Sequence, residues 1–323
     1  MPVSDESQTR RALALDIGGT KLAAAIVDET GGLHGRARCA APRGDDGEEL
    51  FAALLGCARS ALGEAPGGVA GVGVACAGPI EIASGRVSPI NMPAWRGFPL
   101  RDRLAAELGI EPLIDNDAVG IAAGEHWAGA ARGLDHVLAV TVSTGIGGGL
   151  VLDGRLHRGG CGNAGHVGHF VVEPDGPACA CGGRGCLEAV ASGPRTVARA
   201  LAAGWQPEPG EVADGIGLAA AAERGDPVAA EALARSGRAL GAAFASVAAL
   251  LDLQAIVIVG GFSRSGEALW GPLRDSFAEH AGLEFARACT VMPGDLGDNA
   301  GLVGAGAFVL APGRYGFSSG PSA

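Results

Sequence analysis

Short apolar runs separated by glycine turns, alternating with longer amphipathic stretches, set the pattern of this chain. Residues 12–16 read as a buried strand, Gly18-Gly19 as a turn and residues 22–27 as a return strand, which predicts an opening hairpin. Over residues 48–62, Leu50, Phe51, Leu54, Leu55, Ala58 and Leu62 fall on one helical stripe, and residues 69–76 return as an apolar strand. A Pro-punctuated segment, 79–99, carries Asn91, Met92, Pro93 and Trp95; a helix over 100–108 then leads to a strand at 112–114 that ends on Asp115-Asn116-Asp117. The second half repeats the opening. Residues 136–142 read as a strand, 143–149 as a glycine-rich turn and 150–152 as the start of a return strand. After a loop rich in Gly, His and Cys, 157–188, helices are predicted at 194–203, 215–224 and 227–251, then a strand at 255–259 ending in Gly260-Gly261, and a helix near 299–310. The Gly/Ser/Pro tail from Pro312 is expected to fray.

Alternation of helix and strand predicts an α/β protein whose sheets are covered on both faces. The repeated glycine hairpin predicts a duplicated fold, with domains at 1–117 and 118–298, a hinge near Asp117, and the helix at 299–310 packing back on the first domain. The 323 residues are 48% hydrophobic and 18% charged, enough apolar material for a sizeable core. With 24 Lys+Arg against 35 Asp+Glu the net charge is −11, and no basic run offers a phosphate-neutralising surface, so nucleic acid is not an expected partner. The start of the chain is polar, and the longest apolar run, 239–251, is too short to span a bilayer; a cytoplasmic protein without membrane attachment is expected. Of the eight cysteines, Cys39, Cys57, Cys76 and Cys289 are scattered, whereas Cys179, Cys181 and Cys186 crowd into one loop.

Three features carry chemistry. In Asp16-Ile17-Gly18-Gly19-Thr20-Lys21, a glycine pair at a hairpin tip can turn backbone N–H groups towards an anion, and Thr20 adds a hydroxyl. An ordinary hairpin turn would look the same. Thr144-Gly145-Ile146-Gly147-Gly148-Gly149 and Gly260-Gly261 repeat the device, and three such strand ends favour a nucleotide. Second, Cys179, Cys181 and Cys186 with His169 supply the three thiolates and imidazole of a closed tetrahedral Zn²⁺ site, structural rather than catalytic; the alternative is a set of free thiols. Third, Asp115-Asn116-Asp117 stands at a strand's C-terminal end, where α/β folds place ligands and a carboxylate can take a hydroxyl proton, although such a turn can equally be a helix cap. His126, His136, His157 and His280 have no partner pattern, and Trp95 and Phe98 read as packing.

Together, the opening Asp16–Lys21 motif, the Asn116-Asp117 pair, the second glycine turn and His169 with its three cysteines resemble the ROK family of sugar kinases and repressors, of the two-domain actin/hexokinase fold, over residues 13–310. The resemblance implies ATP with Mg²⁺ in a cleft between two domains, its phosphates held by the glycine turns (Asp16, Gly18, Gly19, Thr20, Lys21, Thr144, Gly145, Gly147) and its adenosine bordered by Gly260 and Gly261. It implies Asp117 as the base acting on a sugar's primary hydroxyl, with Asn91, Asn116, His169 and Glu188 orienting the other hydroxyls, and a dimer or tetramer as the assembly. Repressors of the family carry an N-terminal helix-turn-helix for which residues before the hairpin leave no room; a silent sugar sensor would not be expected to keep Asp117 and both turns. Two departures stand out. The family's Ala-Gly-Glu-x-Gly-His run is Ala164-Gly165-His166-Val167-Gly168-His169 here, and its usual Asn two places after the base is Val119. His166 therefore joins the expected substrate contacts, and the expected substrate moves from glucose towards an amino-sugar such as kanosamine or N-acetylmannosamine, or a C7-cyclitol.

Overall fold

The computed structural model describes residues 9–42, 44, 46–65, 67–90 and 92–316. Asn91 and the end of the tail, 317–323, lie outside the described residues. The chain forms two compact units, one running through Gly133 and resuming at Gly154–Leu156 and from Asn299 onward, the other comprising Leu134–Asp153 and His157–Asp298. The division falls after Gly133 rather than at the hinge expected near Asp117, because the helix that Asp117 starts packs within the first unit.

The first unit opens with β1 (Arg11–Ile17), β2 (Lys21–Asp28) and β3 (Leu33–Ala40), followed by α1 (Gly47–Leu62), β4 (Val72–Cys76), the small hairpin β5 (Ile80–Glu81) and β6 (Arg86–Val87), α2 (Leu100–Leu108), β7 (Leu113–Asn116) and α3 (Asp117–Ala128). Its main sheet has the order β3-β2-β1-β4-β7, antiparallel over the first three strands and parallel from β1 to β7. The second unit contains β8 (Val137–Val142), β9 (Ile146–Leu152), β10 (Arg155–His157), α4 (Leu187–Ala191), α5 (Gly193–Ala202), α6 (Gly215–Glu223), α7 (Pro227–Leu251), β11 (Ala255–Val259), α8 (Glu267–His280), α9 (Glu284–Ala288) and β12 (Thr290–Pro293). Its sheet, β10-β9-β8-β11-β12, repeats the first: an antiparallel hairpin extended by parallel strands. The expected duplication is therefore present. Two helices of the first unit follow, α10 (Ala300–Leu310) and α11 (Pro312–Tyr315).

Side-chain size explains how the first sheet is covered. One face carries Leu13, Leu15, Ile17 and Val74 and packs on Phe51, Leu54 and Leu104 from α1 and α2. The other carries Ala12, Ala14, Ala23, Ala25 and Ala75, small enough for α10 to lie close against it. Helix α10 also touches α3 through backbone, since a Cβ at Gly304 would stand 1.7 Å from the Gly120 carbonyl oxygen and one at Gly124 2.3 Å from that of Ala300. Gly304→Ala should therefore cost about 1–3 kcal/mol through overpacking, more than the ~1 kcal/mol that alanine gains over glycine in a helix. Gly56 in α1 meets nothing within 4 Å, so Gly56→Ala should instead stabilise by ~0.5–1 kcal/mol. Urea unfolding of the two variants should give midpoints displaced in opposite directions.

The tail expected to fray from Pro312 departs from that expectation. Residues Pro312–Tyr315 form α11 because Tyr315, fully buried, packs with Val119, Ala123 and Phe308, and its hydroxyl lies 2.6 Å from His126 Nδ1. In the second unit the core lies between the sheet and α4–α8, with Leu138, Val140, Ile256 and Ile258 facing Leu233, Leu240 and Phe244. Among the described residues no helix is long and apolar enough to cross a membrane.

Candidate active site

In the first unit the parallel strands end in one row. Strand pairing sets Asp16 opposite Ala75 and Cys76 opposite Asn116, so Asp16, Cys76 and the Asn116-Asp117 pair sit at adjacent carboxyl ends. The Cys76 thiol reports this crowding: burial pushes its pKa well up, and the Asp117 and Asp16 carboxylates add to the shift. Asp16 also needs room from α10, because a Cβ at Gly301 would approach its carboxylate to 2.9 Å. Between β1 and β2, Gly18 N–H donates to Lys21 O (3.0 Å) and Lys21 N–H returns to Gly18 O (3.4 Å). The fold does not itself require glycine at 18, since a Cβ there would make only an ordinary 3.5 Å contact. Its missing side chain leaves backbone open to a molecule from outside.

Helix α3 starts as a strand gives way to a capped turn. Asn116 Oδ1 accepts from Ala118 N–H (3.0 Å), and Asp117 Oδ1 accepts from the same N–H (2.8 Å), while buried Asp115 accepts from Asn116 N–H (2.8 Å). The capping and functional readings of this turn are compatible: the cap occupies the Asn116 carbonyl oxygen and leaves its amide Nδ2, which can only donate, beside Gly78, where a Cβ would come within 2.7 Å of it. Asp117, half-buried at the first position of α3, stands where the helix terminus favours a negative charge. Val119 points elsewhere. It is buried in the cluster that holds Tyr315, so its identity answers to packing.

In the second unit the glycine turn is shorter than expected. Only 143–145 turn; Gly147, Gly148 and Gly149 lie in β9, where Gly147 pairs with Thr141. The reason is close packing, since the Gly165 carbonyl oxygen would stand 2.7 Å from a Cβ at Gly148, and the Ile146 carbonyl oxygen 2.0 Å from one at Gly168. Loop 164–169 is thereby pressed onto β9. Thr144 remains exposed in the turn, and Gly145 is held against Glu188, whose Oε2 accepts from Ile146 N–H (2.9 Å). Gly260, with φ +101°, turns the chain out of β11. Beside Gly261 opens a cleft of about 730 Å³, lined among others by Thr144, Val197, Leu201, Ile216, Phe262 and Arg264. Its walls are mainly apolar, with polar groups at the turn, which suits a flat heterocycle carrying a charged tail. Helices α5 and α6 supply about half of this lining, and the glycine motifs do not point to them; Leu201 and Ile216 stand exposed on these helices, with Asp214 capping α6.

The cysteine loop folds on itself. Cys179 N–H donates to Gly183 O (2.9 Å), Gly185 N–H to Pro177 O (2.8 Å), and Gly182 (φ +92°) and Gly185 (φ +68°) take left-handed backbone. Donor atoms of His169, Cys179, Cys181 and Cys186 all lie within 4.8 Å of one another. His169 Nδ1 is 3.8 Å from Cys179 Sγ, and Cys181 Sγ is 3.7 Å from Cys186 Sγ. A tetrahedron with Zn–S of about 2.3 Å has edges of about 3.8 Å, so the donor set fits zinc. The Gly183 N–H lowers the Cys181 thiol, while burial pushes Cys186 up to about 12. Cys186 directly precedes α4, so the loop also places Glu188 in that helix's first turn. His166 is exposed at the other end of the short helical turn Val167–His169, its ring 6.1 Å from that of His169.

The ROK family model matches residues 12–312 of the chain. The glucokinase of Thermotoga maritima is 35% identical over 312 residues, covering 93% of this chain and 97% of that protein. The N-acetylmannosamine kinase of Yersinia pseudotuberculosis is 39% identical over 254 residues, 78% of this chain and 82% of that one. A ROK family glucokinase from Streptomyces griseus, solved in complex with glucose and AMPPNP, matches with a TM-score of 0.79 at 34% identity, over 93% of this chain and 99% of its own.

Proposed function

This chain belongs to the ROK family and is an ATP-dependent carbohydrate kinase, and from that premise we propose that it phosphorylates the primary hydroxyl of an amino-sugar, with N-acetylmannosamine the leading candidate, in preference to glucose. The observation that carries this reading is His166. Glutamate in that place only accepts hydrogen bonds from sugar hydroxyls; a neutral imidazole offers one donor and one acceptor, and can therefore serve a ring whose substituent near C1 to C3 carries its own acceptor. The relative named N-acetylmannosamine kinase, at 39% identity, supports the same direction.

Each unit contributes roles. In the first, Asp117 takes the proton of the primary hydroxyl as its oxygen attacks the γ-phosphorus, and Asn116 Nδ2 donates to a neighbouring hydroxyl. Asn91 is assigned to the same substrate from sequence alone. Gly18, Gly19, Thr20 and Lys21 hold phosphate, and Asp16 is the carboxylate for Mg²⁺, which when bound neutralises phosphate charge. In the second unit the apolar cleft beside Gly260 and Gly261 takes the nucleoside and the Thr144-Gly145 turn its phosphates, while Gly147 supports that turn from β9. His166, His169 and Glu188 orient the ring hydroxyls. His169, Cys179, Cys181 and Cys186 would hold a structural zinc, and with Nδ1 turned to the cysteine sulfurs the His169 imidazole would keep its proton on Nε2 as a donor to the sugar.

The test is a comparison of kcat/KM for glucose, mannose, N-acetylglucosamine, N-acetylmannosamine, kanosamine and valienone-type cyclitols, on the natural chain and on His166→Glu. The natural chain is expected to favour an altered ring, and His166→Glu to move the ratio towards glucose by on the order of 10-fold or more. A natural chain that prefers glucose to every alternative would refute the role given to His166.

A further inference from the structure

Outside the cysteine loop, two other sulfur atoms meet. Cys39 lies on β3 and Cys57 on α1, 18 residues apart in sequence, with their Sγ atoms 3.3 Å apart. Their surroundings differ. Cys57 is buried at 6% exposure, and burial together with the neighbouring sulfur pushes its thiol up to about 11, whereas Cys39 is partly open to solvent. Cys76 and Cys289 are buried thiols, and Cys161 is exposed. Strand β3 is the outermost strand of its sheet, paired on one side only with β2, so it can shift by a fraction of an ångström without breaking a ladder beyond it.

We infer that Cys39 and Cys57 are a redox-active dithiol that closes to a disulfide by exchange with a small-molecule disulfide. The Cys39 thiolate attacks one sulfur of oxidised glutathione, breaking its S–S bond and releasing one glutathione thiolate. Cys57 then attacks Cys39 Sγ, breaks the mixed disulfide and releases the second. Two protein thiols are oxidised and one glutathione disulfide is reduced to two thiols, which take up the two protons. Moving the sulfurs from 3.3 Å to a bond of about 2.05 Å asks for side-chain rotation and a small shift of the edge strand. In a reducing compartment such a pair responds to oxidation rather than serving as a permanent staple. The link would tie β3 to α1, with Cys39 paired to Leu22, the residue that follows Lys21.

The experiment equilibrates the full, zinc-loaded, initially reduced chain in glutathione buffers of increasing oxidised fraction, alkylates remaining thiols, and maps peptides without reduction. A Cys39–Cys57 linked peptide is expected to rise with the oxidised fraction and to vanish on adding dithiothreitol, with Cys76 and Cys289 alkylated after unfolding at every ratio. Cys57→Ser should retain one glutathione on Cys39, and Cys39→Ser should leave Cys57 unmodified. The oxidised chain should melt several degrees higher. Full alkylation of both residues at the most oxidising ratio, or glutathione held on Cys39 of the natural chain without a link, would overturn the inference; the mapping of the natural chain decides it whether or not the serine variants fold.

Discussion

Asp117→Asn is expected to lower kcat by on the order of 10²–10⁴-fold, the usual contribution of a positioned general base. The substitution is nearly isosteric, and the Asn carbonyl oxygen can still accept from Ala118 N–H, the bond that Asp117 Oδ1 makes at 2.8 Å, so α3 and its Asn116 cap should persist. What is lost is the negative charge and, with it, a site for the hydroxyl proton. ATP binding, read by calorimetry, should therefore change little while turnover collapses. Undiminished turnover in a correctly folded variant would remove Asp117 from the chemistry.

Loss of the metal is expected to have the second largest effect. Metal analysis of freshly purified, reduced protein should find one zinc per chain, and Cys186→Ser should lower that content and raise the sugar KM by on the order of 10–100-fold, no less than removal of an outer-shell partner costs a metal site in affinity or activity. The asymmetry of the effect is its signature. Cys186 leads directly into α4, and Glu188 in its first turn holds Ile146 N–H, so a loosened loop disturbs Glu188, His169 and His166 together. The cleft walls Ile216, Leu201 and Phe262 carry none of those ligands, and only the Thr144-Gly145 turn is backed by Glu188, so the KM for ATP should rise by less than the sugar KM. Zinc-free, fully reduced protein with unaltered sugar kinetics would show that the four residues are free thiols and a histidine.

Much of this site was legible in the sequence because backbone and chemistry make the same demands there. The opening hairpin, helix 100–108 and the long helix 227–251 follow from periodicity and from their turn or cap residues. The three cysteines and His169 could be grouped because together they make a zinc donor set and the intervening glycines let the loop wrap tightly, and their donor atoms do converge. The pattern failed where tertiary contacts overrode it. Strand β3, Leu-His-Gly-Arg-Ala-Arg-Cys-Ala, half-buries alternate residues and reads as polar; helix α8 contains Pro272, a breaker in sequence; and Gly147–Gly149 look like a turn although they are strand residues, Gly148 being kept bare by the loop packed on it. Tyr315 sits among tail residues of low information, and only the pocket formed by Val119, Ala123 and Phe308 makes it a core residue. The apolar cleft was invisible for a similar reason: its lining comes from three separate stretches, near Thr144, Val197–Ile216 and Phe262, which the fold alone brings together.

One measurement reaches the central claim directly: ADP formation followed together with ³¹P–¹H correlation spectra of the product, with N-acetylmannosamine supplied or withheld. The account expects ADP to appear only when the sugar is present, in equal amount to a phosphomonoester coupled to the methylene protons of the primary hydroxyl carbon. ADP released at the same rate without sugar, or phosphate attached to a ring hydroxyl, would contradict it.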